Sequence, residues 1–503
     1  MNETAFNAAG TDGNAPPASG IRTILQWLEL PLAPQPAEEL PSLRSHLKAL
    51  RDLPGSPAQR ARVLDGLYTR SNRVVASLLP ALCTQLVLPA PRKERRIVRS
   101  LVDLLQMLVD DLLALLDAGN DPRGPAPDLV LWRSLETLAK QLLICDLIAS
   151  PARTGAWQQL HAIYATARHR QLHTSRPRGV GRSMQDIYHS TILLGCAQPA
   201  SMTPPEVLFL AAYLECFADQ IEPLPATPTP TVGSFWIDPE RDLPAISYMR
   251  RPPPPTVAVE GFSCDRLCQL LRAQVAELDT GSAPRELRLP AFAGTPAGRG
   301  VLHRLASRWS DAGKRRFQRR RQNHRTLLTA GIDGVWRLGR KGQAANVDLS
   351  TWIITNESPD GYAVMHVSGH TGVLAVGELA AVRIGSSENW QICIVRWALS
   401  ENPEHLELGL QILAPRAVPA ILAQASGDAG TEHLRVLILP EIPKLHSGQS
   451  LVVASGALAR AHKKLLLVIE GENVLIREVH STGVDEQTGR IEILSIEPDQ
   501  DPV

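Results

Sequence analysis

At 503 residues the chain has room for roughly three or four domains, each with its own buried core. Its 52 basic and 51 acidic side chains nearly cancel, so no global field singles out DNA, a membrane surface or an acidic substrate. Seven scattered cysteines fit a reducing compartment better than a disulfide scaffold, Met1-Asn2-Glu3-Thr4 does not open a signal peptide, and no run of 18 apolar residues exists. These features predict a cytoplasmic protein.

Residues 1–20 are Ala, Gly, Asn, Thr and Pro with little to bury, and are expected to be a disordered tail. From 21 to 222 the pattern predicts an all-α domain, a helical bundle or a stack of helical hairpins. Between Ile97 and Asp117 the polar residues Arg99, Asp103, Gln106, Asp110 and Asp117 form one narrow stripe on an otherwise apolar helix, with Gly119 as its stop. Leu131, Leu135, Leu138, Leu142, Cys145 and Ala149 repeat at alternating four and three, an amphipathic helix. Trp157, Leu160 and Tyr164 form a core-facing triad on another, which also carries His169 and His173 four apart; surface histidines are the expectation there. Thr203-Pro204-Pro205-Glu206 reads as a capping box with Pro at the first helical position.

Residues 223–297 read as a Pro-rich linker and a small mixed region. Pro223, Pro225, Pro228 and Pro230 stiffen its start, and Pro252 to Pro255 make a second stretch. Ser234–Ile237 and Ala245–Met249 are candidate strands, followed by a short helix over about 262–278. Cys264 and Cys268 lie on that helix without a second pair to complete a zinc site. A further helix is expected over 298–319, leading into a basic run. Lys314, Arg315, Arg316, Arg319, Arg320, Arg321 and Arg325 crowd into twelve residues.

Beyond it, short β-rich runs at fairly regular spacing predict a barrel or sandwich. Arg325–Leu328, Gly334–Leu338 and Thr351–Thr355 read as strands, the last leading directly into Asn356. Tyr362–Met365 is its hairpin partner, and Gly377–Ile384, Ile392–Trp397 and Leu406–Leu413 follow. Two short patterns stand inside this region: Arg-Arg-Gln-Asn-His-Arg at 320–325, and, about 30 residues on, Asn-Glu-Ser-Pro-Asp-Gly at 356–361.

The pair reads as RRxxxR followed by [DN]xSxxG, and it resembles the ligand signature of PilZ domains, β-barrels that bind cyclic di-GMP. With the strands around it the resemblance covers about 100 residues, roughly 318–416. It implies a PilZ-like antiparallel barrel with a basic lead-in helix over 298–416, and a binding site made of Arg320, Arg321, Arg325, Asn356, Ser358 and Gly361. The ligand is a compact dianion with two guanine rings. Arg321 and Arg325, on the approach to the first strand, would fork onto a phosphate or the O6/N7 edge of guanine, or stack on a purine face. Asn356 would bond along a guanine edge, and Ser358 would offer its hydroxyl to a phosphate or to the loop backbone. Gly361 would allow a positive φ or close approach to the ligand. Arg320, the basic residue just before RxxxR, implies two stacked ligands per site. The chain departs from the pattern in having Asn where a carboxylate could grip guanine N–H groups, and in a long inter-motif segment whose Arg340-Lys341-Gly342-Gln343 looks like an inserted loop.

Residues 417–503 add four strong strand candidates, around 434–439, 450–453, 464–469 and 491–496, which build a second barrel or extend the first. The fold class expected is thus multidomain α+β, with helices N-terminal and a barrel followed by a further β-rich region. No P-loop, GxSxG, paired-Cys metal site or GxGxxG between a strand and a helix points to an enzyme, a metal or a cofactor other than the ligand cyclic di-GMP. The reading that follows is a receptor whose helical region engages a protein partner, with no membrane insertion. Two rivals are nucleic-acid binding through the 314–325 basic run and a degenerate, non-binding PilZ-like scaffold.

Overall fold

The computed structural model describes residues 20–53, 56–84, 88–117, 126–225, 231–310, 317–340, 347–372, 374–385, 389–402, 405–425, 431–441, 448–458, 464–470 and 474–498. Residues 1–19 of the expected disordered tail, Gly119, Pro228, Pro230, Lys314, Arg315, Arg316 and the loop residues Lys341, Gly342 and Gln343 lie outside them.

The N-terminal part is helical: α1 (Ile21–Leu28), α2 (Glu39–Asp52), α3 (Pro57–Thr84), α4 (Arg92–Asp117), α5 (Pro127–Leu147), α6 (Ala156–His169), α7 (Met184–Cys196) and α8 (Pro204–Phe217). Two apolar clusters hold it together. One gathers α1 to α5 around Leu43, Leu67, Leu104 and Leu105, and the other joins α5 to α8 around Leu138, Leu160, Ile192 and Tyr213. Thr203 and Glu206 do close a capping box, the Thr203 amide donating to Glu206 Oε2 at 2.7 Å. The helix bearing the Trp157 triad stops at His169, so His173 lies beyond its end and the two histidines do not share a helical face. Among the described residues no group of side chains is placed to hold a metal ion, and no helix is long and apolar enough to cross a membrane.

Burial holds the His189 imidazole on α7 down to about 4, against Asp186 and Asp219, which pull it up, and with Arg168 and His173, which push it down. His189 therefore stays neutral in the folded chain while the unfolded chain takes up a proton below about pH 6.5. Stability should fall as pH drops from about 6.5 towards 4 and change no further on this account below that. Urea midpoints at pH 7.5 and 4.5 should show His189→Gln losing roughly 2 kcal/mol less than the wild type over this interval. Equal losses would contradict it.

A four-stranded antiparallel sheet follows, in the order β1-β4-β2-β3: β1 (Glu222–Pro223), β2 (Ser234–Ile237), β3 (Ile246–Ser247) and β4 (Glu260–Ser263). Two helices, α9 (Asp265–Thr280) and α10 (Pro296–Ser310), pack onto the second helical cluster through Leu267, Leu271, Val301, Leu305 and Trp309. The helix expected over 298–319 is seen as α10 over Pro296–Ser310, and Arg319 and Arg320 do not lie on a helical face. The helix that precedes the barrel, α10, carries Arg299, Arg304 and Arg308.

The first closed barrel comprises β5 (Arg320–Ala330), β6 (Ser350–Ser358), β7 (Gly361–Ser368), β8 (Leu379–Ile384), β9 (Gln391–Asn402) and β10 (His405–Ala414), in the order β10-β7-β6-β5-β8-β9. Leu328, Trp352, Ile354, Val364, Val382, Val395 and Leu408 fill its interior. The run expected as a strand at 334–338 is instead a helix, α11 (Ile332–Leu338). Val and Trp favour strands locally, but Ile332, Val335 and Trp336 are spaced at three and four, which gives one apolar helical face. That face is wedged between the barrels, where the Trp336 indole donates to the Ala420 carbonyl at 2.9 Å.

The last region is a second closed barrel rather than an extension of the first: β11 (Val418–Ala425), β12 (Thr431–Leu439), β13 (Gln449–Ala454), β14 (Lys464–Glu470), β15 (Val474–Gln487) and β16 (Ile491–Pro498), ordered β11-β12-β13-β16-β15-β14. Its interior is lined by Leu422, Val436, Leu451, Leu467 and Leu494. A separate apolar layer glues the barrels together: Leu379, Ile392 and Ile394 of the first meet Leu437, Val452 and Ile491 of the second. The first barrel also touches the helical part, where the Ser400 amide donates to the Ala149 carbonyl and Arg95 donates to the Ser400 carbonyl, both at 2.8 Å.

Candidate ligand-binding site

Residues paired across an antiparallel ladder share a face of the sheet. Arg321 pairs with Asn356, Asn356 with Ala363, Ala363 with Gly409, and Gly409 with Trp397. Tyr362 and Val364, on either side of Ala363, point into the barrel core. The five residues therefore form one row on the outer surface, crossing β5, β6, β7, β10 and β9. Arg321 stands at one end, Trp397 at the other, and the floor between them is the small pair Ala363 and Gly409.

Two irregularities of register make this row. Trp352 and Ile354 face inward, so strict alternation would turn Asn356 inward as well. A shift between Ile354 and Asn356 in the pairing with β7 supplies one extra residue and rotates the Asn356 side chain out. On β9 a similar shift opposite Gly409 and Leu410 leaves Arg396 unpaired between Val395 and Trp397. Val395 and Ala398 face the core, so Arg396 and Trp397, though adjacent, both face outward. The indole sits directly over Gly409, where a Cβ would fall 1.8 Å from its Nε1.

Arg320 and Arg321 are part of β5, paired with Glu357 and Asn356, and Arg325 pairs with Ile353. The strand expected to begin at Arg325 begins earlier, so Arg321 is not on the approach to it: the ladder with β6 starts at Arg320. All three are exposed, and none makes a side-chain hydrogen bond or ion pair with the described residues. Gln322 rather than an arginine bonds Glu357, at 3.0 Å. Arg325 lies further along the outer face than Arg321, beside Ile353 and Met365.

Ser358 and Gly361 flank the β6–β7 hairpin turn. The Ser358 hydroxyl donates to Asp360 Oδ1 at 2.7 Å and lies 3.1 Å from the Gly361 carbonyl, so in this structure it braces the turn. Gly361 does not adopt a positive φ, contrary to one of the two reasons anticipated for it. Its role is steric: a Cβ there would lie 2.0 Å from the Leu410 carbonyl oxygen, so only glycine lets β10 run this close. A shallow pocket of about 160 Å³ opens at this end of the row, lined by Arg319, Asn356, Ser358, Arg396, Trp397 and Gln411 among others. Sequence reading took Ile392–Trp397 simply as a strand and so missed Arg396 and Trp397. The only signal available was the charged Arg396 beside Trp397 at the end of the apolar alternation Cys393, Val395; the register shift that turns both outward has no sequence mark.

Comparison with known proteins places these elements. Residues 22–227 match the family described as the N-terminal domain of the cyclic-di-GMP receptor FimW, and residues 339–419 match that receptor's middle PilZ domain. The cyclic-di-GMP receptor FimW of Pseudomonas aeruginosa (strain PAO1) is 24% identical over 453 residues, an alignment covering 74% of this chain and 73% of the relative. No solved structure matches. The PilZ match runs through β6 to β10 and includes Asn356, Ser358, Gly361 and Trp397, while Arg320, Arg321 and Arg325 precede it on β5. The first barrel thus carries a match to a PilZ domain, and the helical region before it matches the FimW N-terminal domain.

Proposed function

We propose that this chain is a cytoplasmic cyclic di-GMP receptor that performs no chemistry itself and binds its ligand on the outer face of the first barrel. The observation that carries this reading is the register row Arg321–Asn356–Ala363–Gly409–Trp397. The Trp397 indole, lying over Gly409, offers a stacking face for a purine. The exposed guanidiniums of Arg320, Arg321 and Arg325, without carboxylate partners among the described residues, are available to fork onto phosphate. Asn356 presents both an acceptor and a donor to a guanine edge. Arg320, one residue before Arg321, extends the cationic edge and supports a stacked pair of ligands.

The output is assigned to the helical domain as a protein-interaction surface. β5 follows α10 in the chain, and α10 is built into the helical core through Val301, Leu305 and Trp309. A change in how β5 is held on ligand binding thus has a short route to the helices. Calorimetric titration of cyclic di-GMP into the intact chain tests the reading. Binding at micromolar or tighter concentration, about −8 kcal/mol or better, is expected. No heat from a folded chain would leave a degenerate scaffold. Retention of single-stranded RNA at physiological salt, without cyclic di-GMP binding, would favour the basic run as a nucleic-acid contact.

A further inference from the structure

Arg396 belongs to two places at once. Its side chain lines the pocket beside Asn356 and Trp397, and it also lines the clefts where the first barrel, the second barrel and α10 meet. The bulge on β9 is what puts it there. Its Nε donates to Gln411 Oε1 at 2.5 Å, and its two terminal nitrogens fork onto Glu486 of β15, Nη2 to Oε2 at 2.7 Å. Both partners of this inter-barrel pair are largely withdrawn from water, the side chains being 32% and 20% exposed. An arginine bound to phosphate by a fork uses the same face of the guanidinium.

We propose that Arg396 is contested between the ligand and the second barrel: an anionic ligand in the row takes its guanidinium from Glu486, so ligand occupancy and the inter-barrel ion pair exclude one another. This rests on the receptor reading above and adds to it the residue through which the second barrel sets affinity and senses occupancy.

The surroundings of Glu486 give the exchange a consequence. Its neighbour Gln487 is the point where α10 touches the second barrel. The Gln487 carbonyl accepts from Arg304 Nη1 at 3.2 Å, and Gly300 lies so close that a Cβ would come within 2.2 Å of the same oxygen. Arg304 in turn donates to Glu206 Oε1 at 2.7 Å, the carboxylate whose other oxygen caps α8. Arg308 stands in the same cluster and donates to the Ala197 carbonyl at 2.6 Å. Burial, with the cations of Arg304 and Arg396 beside it, pulls Arg308 down to about 10. Three arginines thus crowd around Glu206 and Glu486, and withdrawing Arg396 relieves that crowding. A contiguous set of contacts runs from the ligand row through β15 and α10 to the start of α8.

Titration of cyclic di-GMP into the full chain tests this with Glu486→Gln, Arg396→Gln and the double variant. Removing the competitor should tighten binding: Glu486→Gln is expected to bind about fivefold more tightly than wild type. Arg396→Gln should bind more weakly, and Glu486→Gln should have no effect in that background. Amide exchange over 484–488 supplies a second readout that does not depend on Arg396→Gln retaining affinity. Ligand should raise exchange there in the wild type and leave it unchanged in Glu486→Gln, where the pair is already broken. A Glu486→Gln affinity within twofold of wild type, equal tightening with and without Arg396, or wild-type exchange insensitive to bound ligand would each overturn the proposal. A wild type that does not bind at all overturns the receptor reading itself, and this inference with it.

Discussion

Arg321→Ala is expected to weaken cyclic di-GMP binding by about 100-fold while leaving the fold intact. A charge-assisted hydrogen bond contributes about 1.5–3 kcal/mol, and a fork onto phosphate supplies two that share one side chain. Arg321 is the arginine that shares the row with Asn356, so it has the most to lose. Its side chain is exposed and unpaired among the described residues, so nothing in the barrel depends on it. Urea stability should change by no more than about 0.5 kcal/mol. Arg321→Lys keeps the charge but not the planar fork and should recover only part of the loss. Arg325 stands further along the face, paired with Ile353, and Arg325→Ala should cost less, about tenfold. Calorimetry on the three variants beside wild type gives the ranking. Undiminished binding by Arg321→Ala would place the ligand elsewhere on the chain.

The parts of this protein that were legible in its sequence are those where a local signal has one dominant cause. The capping box at Thr203 and the strand at 234–237 were of that kind. So was the hairpin that returns from Asn356 through Pro359-Asp360, whose partners are close in the chain. The two motifs are paired in the sequence by the PilZ resemblance, and the β5–β6 ladder sets Arg321 opposite Asn356. What could not be read was set by distant contacts. Val335 and Trp336 belong to a helix because a crevice between two barrels receives that face, and the second barrel lies more than 80 residues further along. The basic run gave no sign that residues 320–324 already belong to the strand, since exposed arginines carry no alternation. Nor does composition reveal a bulge. The shift that turns Asn356 outward and the one that turns out Arg396 beside Trp397 arise from register with β7 and β10, and they decide which side chains stand in the outer row.

Gly409 and Gly361 separate the binding row from the frame that carries it. At Gly409 an added Cβ would meet Trp397 at 1.8 Å from Nε1 and 2.3 Å from Cδ1 and Cε2. The obstruction is a rigid ring on the outer face, which can leave only by swinging away from the floor. Gly409→Ala should therefore cost a modest 1–2 kcal/mol or about that in stability. Its larger effect should be on ligand, because the indole no longer lies in the row; base stacking is worth about 1–3 kcal/mol, a tenfold to hundredfold loss. Trp397→Ala removes the same face, so the double variant should bind no worse than the weaker single one. At Gly361 the obstruction is main chain, the Leu410 carbonyl oxygen at 2.0 Å and its carbon at 3.1 Å. Relief there requires β7 and β10 to part at the point where Gly361 pairs with Gln411. Gly361→Ala should lower stability by about 3 kcal/mol, seen as an earlier urea midpoint with the slope unchanged. Ligand binding by the fraction that remains folded should suffer less than in Gly409→Ala. The reverse ordering, a stable Gly361→Ala that cannot bind and an unstable Gly409→Ala that can, would mean that the ligand sits on the hairpin turn rather than on the row.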